Sequence, residues 1–79
     1  MSQDRILIVD DDPKLVRLVR EVLTATGFAV LVCSSGDRAI EMAAIEQPDL
    51  ILLDIILTGG KDGYEVARRV REFSDTPII

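Results

Sequence analysis

An unbroken apolar run that ends in a carboxylate occurs twice in this chain, and no other feature restricts its fold as much. Leu50-Ile51-Leu52-Leu53 runs into Asp54, followed by Ile55-Ile56-Leu57 and the glycine-rich Thr58-Gly59-Gly60-Lys61-Asp62-Gly63. Near the amino terminus, Arg5-Ile6-Leu7-Ile8-Val9 empties into Asp10-Asp11-Asp12. A short apolar run bounded by turn residues reads as a strand buried on both faces, as in a parallel sheet covered by helices. An ionised carboxylate is costly inside such a layer and belongs where the strand leaves the core. Asp54 and Asp10 are therefore expected at the carboxyl edge of a sheet, where open α/β folds bind their ligands. If the two strands are neighbours, several carboxylates meet there.

The segments between the runs carry helical signals. Asp12 is a favoured N-cap and Pro13 suits the first helical position. Leu15, Leu18, Val19 and Val22 then recur at helical spacing, and Gly27 supplies a left-handed stop. Phe28 to Cys33 reads as a second strand. Ser34-Ser35-Gly36 is a turn and cap before a helix over about 37–46 that buries Ala39, Ile40 and Ala43, and Gln47-Pro48 ends it, since a residue before proline avoids helical angles. Tyr64, Ala67 and Val70, flanked by Val66 and Phe73, mark a third helix ending near Ser74, and Thr76-Pro77-Ile78-Ile79 starts a fourth strand. The order β-α-β-α-β-α-β, with helices between apolar strands, is that of a parallel sheet with right-handed crossovers.

Size and composition restrict the function. Seventy-nine residues make one small domain, 1–79, and a chain of this size buries only about 60% of its unfolded surface. The net charge of −5 leaves no basic stripe for phosphate backbones, so nucleic-acid binding by this segment is not expected. Arg68, Arg69 and Arg71 read as a solvated helix face rather than a partner patch. Without any histidine there is no Ser-His-Asp triad and no base to activate Cys33, which reads as a buried strand-end residue. No apolar run approaches the roughly 20 residues of a membrane span, and the amino terminus has no signal-peptide pattern. A cytoplasmic location is expected.

Three stretches together resemble the response regulator receiver domain, the CheY-like family of bacterial two-component signalling. Ile6-Leu7-Ile8-Val9-Asp10-Asp11-Asp12-Pro13 is similar to the family's acidic end of the first strand. Pro48-Asp49-Leu50-Ile51-Leu52-Leu53-Asp54 is similar to its phosphoacceptor strand, and Asp62-Gly63-Tyr64-Glu65-Val66 to the start of its third helix. The resemblance implies a flavodoxin-like α/β fold of strand order 2-1-3-4-5, with the site at the switch between strands one and three. It also implies that Asp54 takes a phosphoryl group from a histidine kinase or phosphotransfer protein. Asp10 and Asp11 would hold Mg²⁺, Asp11 directly and Asp10 through water, with Asp54 and the Ile56 backbone carbonyl completing the protein's share. The residue types agree, because Mg²⁺ takes a few oxygen ligands and keeps several waters. Carboxylates about 5 Å apart repel by roughly 3 kcal/mol per pair at an effective dielectric near 20, and a divalent cation reverses that sign. Two other readings stand beside this one. The acidic trio alone has a plainer reading as a turn plus helix cap that needs no metal, and the whole chain one as a non-phosphorylated pseudo-receiver that serves as a protein-interaction module.

The chain departs from the family pattern in two respects. Position 58 is threonine where proline is commoner, and Gly63 lies nine residues after Asp54 rather than eight, which implies a loop one residue longer. Gly59-Gly60-Lys61 has only a faint likeness to a phosphate-binding loop, since Asp62 replaces the required Ser or Thr. The family's Ser or Thr after strand four and Lys after strand five have no counterpart before Ile79. Lys14 and Lys61 do not match their spacing. The expectation is thus the amino-terminal portion of the fold, β-α-β-α-β-α and the start of a fourth strand, retaining metal binding but transferring phosphoryl groups slowly. Its exposed sheet edge and the bare face of the first helix predict self-association.

Overall fold

The computed structural model describes residues 3–57 and 60–79. Thr58 and Gly59, on which part of the loop comparison rests, lie outside the described residues. The elements are β1 (Arg5–Val9), α1 (Pro13–Thr26), β2 (Ala29–Cys33), α2 (Gly36–Glu46), β3 (Leu50–Leu53) and α3 (Gly63–Arg71). The strands form one parallel sheet in the order β2-β1-β3. In β1, Leu7 is in register with Leu31 and Ile51, and Val9 with Cys33 and Leu53.

Alternation along the strands divides the sheet into two faces. Leu7, Val9, Cys33 and Ile51 form one buried cluster with Ala39 and Ala43 of α2 and Val66 and Val70 of α3. Full burial of an aliphatic side chain contributes about 1.5–3 kcal/mol, so Leu7, Ile51, Val66 and Val70 anchor this small fold. Ile8 and Leu52 point the other way and line a cleft of about 210 Å³ beneath Leu15 and Val19 of α1.

Each helix starts on the residue type that its ends require. Asp12 accepts the amides of Lys14 and Leu15, Ser35 that of Arg38, and Asp62 that of Glu65. Gly27 closes α1 at φ 106°, where a Cβ would be strained. Gln47 closes α2 as expected, though by a left-handed cap (φ 49°) instead of the extended backbone that Pro48 favours. The Arg5 guanidinium caps the same helix end, donating to the Glu46 carbonyl at 2.7 Å and pairing with the Glu46 carboxylate.

Two expectations need correction. The buried face of α3 is centred on Val66 and Val70, whereas Tyr64 is exposed and Phe73 half-exposed. An apolar face only nine residues long is narrow, and the core behind α2 has room for two valines in successive turns. Ile40 is only partly buried, since α2 approaches the sheet through its alanines. The stretch after Pro77 makes a parallel bridge, Ile78 to Ile51, as the start of a fourth strand beside β3 would. Its backbone bonds (Ile51 N to Pro77 O, Leu53 N to Ile79 O, both 2.9 Å) lie along β3.

Candidate functional site

The sheet itself brings the acids together. Beyond the last paired residues, Asp54 N donates to Val9 O at 2.9 Å and Asp10 N donates to Cys33 O at 3.2 Å. Each aspartate therefore leaves its strand one step above a rigid ladder, on neighbouring strands. Side-chain oxygens of Asp10, Asp11 and Asp54 all lie within 4.8 Å of one another, and all three residues are partly buried.

The acidic run divides its labour by geometry. Asp12 turns to the helix and caps α1, while its own amide donates to Asp10 Oδ1 at 2.9 Å. That bond holds the Asp10 carboxylate over the turn. Asp54 Oδ1 accepts the amide of Ile56 at 3.1 Å, which folds the chain back across the strand end. Of the predicted set, the structure thus gathers Asp10, Asp11 and Asp54, and it ties Ile56 to Asp54 through the backbone. The donor set of three carboxylates, without a closed cage, fits a small hard cation that keeps its own waters.

Cys33 sits below this edge, at the end of β2. Burial pushes its thiol above the ordinary value, against the opposing pull of Arg38 and the backbone at Ser35. It remains a thiol, as expected of a core residue. Arg68 and Arg69 are paired along α3 with Glu65 and Glu72, consistent with a solvated face.

Sequence reading missed the residues that brace Asp54 from behind. Gly63 N donates to Ile55 O at 2.8 Å, and a Cβ on Gly63 would lie 2.4 Å from the Asp54 carbonyl oxygen. The Asp62-Gly63 pair announced a helix start; it did not announce which peptide the glycine would rest on. Lys61 forms an ion pair with Asp37 at 2.6 Å, a contact across 24 residues that left no local signal.

Residues 6–79 match the family model described as response regulator receiver domain. The transcriptional regulatory protein BaeR of Escherichia coli O6:H1 is 45% identical over 95% of this chain and 31% of its own length. The transcriptional regulatory protein ResD of Bacillus subtilis is 41% identical over 99% of this chain and 32% of its own. Among solved structures, the BeF3-activated N-terminal receiver domain of Klebsiella pneumoniae RstA superposes with a TM-score of 0.88 at 43% identity, covering 95% of this chain and 63% of that one. This chain belongs to the response regulator receiver family of two-component systems and has its flavodoxin-like fold. It spans about a third of the length of these curated relatives.

Proposed function

We propose that Asp54 is the phosphoacceptor of a bacterial two-component relay, with Asp10, Asp11, Asp54 and the Ile56 carbonyl holding Mg²⁺. Phosphoryl acceptance is the general function of the family that the chain belongs to. The observation that carries the assignment to these residues is the convergence of three carboxylates within 4.8 Å at the end of two adjacent strands. When bound, Mg²⁺ would offset the repulsion between carboxylate and phosphoryl group and screen charge in the transition state.

The chain's own residues supply nucleophile and position. An Asp54 oxygen forms the new O–P bond as the P–N bond to the donor histidine breaks, the electron pair leaving with the imidazole. The ladder bond from Asp54 N to Val9 and the Ile56 amide on Oδ1 restrict the carboxylate. Such restriction lowers the entropy cost of an in-line approach. The phosphoryl source is a histidine kinase or phosphotransfer protein, and the module works in the cytoplasm. No helix among the described residues is long and apolar enough to cross a membrane. The acidic balance supports a segment that does not itself bind nucleic acid. Half-exposed Leu15, Leu18 and Val22 on α1 support self-association, to be read from sedimentation at tens of micromolar.

Incubation with a small phosphodonor and Mg²⁺, followed by intact-mass measurement, tests the reading. One phosphoryl adduct is expected on the parent chain and none on Asp54→Asn. An adduct on both would move the acceptor elsewhere, and no adduct with either would leave the interaction-module alternative.

A further inference from the structure

Three close approaches tie the amino-terminal end of α2 to the peptide that carries Asp54. First, the Lys61 ammonium lies 2.6 Å from Asp37 in the opening turn of α2. Second, the Lys61 backbone is pressed against Gly36, the first residue of α2. A Cβ there would meet the Lys61 carbonyl oxygen at 2.8 Å and Val66 Cγ2 at 2.9 Å. Third, two residues on, Gly63 rests on the Asp54–Ile55 peptide and bonds to Ile55 O. The chain between these points is short, with Asp62 fixed as the N-cap of α3. The contacts thus run without a break from α2 through Lys61, Asp62 and Gly63 to the backbone under Asp54.

Resting on the metal-site reading above, we infer that Lys61 and Asp37 are a positioning pair for the acidic site. Through Asp62 and Gly63, they set the placement of Asp54 and Ile56 relative to Asp10 and Asp11. Lys61 acts here through its attachment to α2 and not as a ligand. The pair is solvent-accessible, with side-chain exposures of 30% for Lys61 and 69% for Asp37, so its hold weakens with ionic strength. The acidic site thereby becomes responsive to whatever engages the first turn of α2.

Positioning and plain electrostatics give opposite signs for one substitution. Removing an ammonium from the protein can only favour a bound cation through Coulomb's law, whatever the distance. Loss of a positioning contact weakens the cation instead. Mg²⁺ affinity of the 79-residue chain, measured by titration calorimetry at low salt, should fall by up to about fivefold in Lys61→Met, the range open to an exposed ion pair. Asp37→Lys with Lys61→Asp should restore it, as should Lys61→Arg alone. Exchange of the Gly63 amide, read without metal, should speed up in Lys61→Met and return in the swapped pair. Unchanged or tighter Mg²⁺ binding in Lys61→Met, or a swapped pair no better than the single variant, overturns the inference. A parent chain that binds no Mg²⁺ at all overturns the metal-site reading instead, and the amide exchange then decides the positioning claim alone.

Discussion

The two faces of the sheet are drawn from the same strands, yet they differ in how they are closed. On the α2–α3 face, Leu7, Val9 and Ile51 meet Ala39, Ala43, Val66 and Val70, all at most 3% exposed. On the α1 face, Ile6 and Ile8 are equally buried, but α1 contributes no buried residue. Leu15, Leu18 and Val22 remain 46%, 60% and 57% exposed. Side-chain size explains part of the contrast, because alanines and glycines let α2 and α3 approach the sheet and each other closely. The rest is number: among the described residues, two helices cover the first face and one covers the second. An apolar stripe on a helix thus signals a face seeking cover, and only the neighbours determine whether it finds any.

Leucines on the two faces should respond differently. Leu7→Ala should cost about 2–5 kcal/mol, enough to unfold much of the chain. Leu18→Ala should cost no more than about 0.5 kcal/mol. Urea midpoints for the pair check this, and equal losses would break the comparison.

Glycines sharpen it next. Gly63→Ala forces a Cβ to within 2.4 Å of backbone oxygen beneath Asp54. It should cost about 1–3 kcal/mol as an overpacked contact and weaken Mg²⁺ binding as well. Gly27→Ala, with nothing within 4 Å but φ at +106°, should cost about 1 kcal/mol and leave Mg²⁺ affinity alone. Thermal unfolding with and without Mg²⁺ separates the two.

Asp12→Ala should remove the α1 cap at a cost of about 1 kcal/mol without abolishing metal binding, since Asp12 faces the helix. A complete loss of Mg²⁺ affinity would place it in the site.

The smallest expected effect concerns pH. Burial raises the Cys33 thiol above its ordinary value of 9.0, so the folded state holds this proton more tightly than the unfolded state. That contribution is fully present below the unfolded value and is lost as pH rises toward the folded one. As pH rises past that ordinary value, the parent should lose stability faster than Cys33→Ala. Parallel curves would mean that the β2 end is open to water.

Local chemistry made much of the molecule readable. Asp12, Ser35 and Asp62 cap helices because a short side-chain oxygen satisfies free amides at that position, whatever lies beyond. The runs before Asp10 and Asp54 become strands because only a covered sheet hides so many consecutive aliphatic residues. The resemblance of these runs to a known family then named the site residues. The centre of the α3 face was not readable, because Tyr64, Val66, Ala67 and Val70 offer overlapping helical stripes and only contact with α2 selects among them.

By itself, then, the sequence determined where the strands, helices and N-caps lie to within a few residues, and that two strands end in acid. Those properties follow from burial and hydrogen bonding within a few residues of each position. The tertiary structure alone decided that Asp54 stands beside Asp10 and Asp11, that Gly63 lies under its peptide, and that Lys61 reaches Asp37. These contacts join separate elements, in the first and last cases across 24 or more residues, and their energy exists only once the sheet has put the elements side by side.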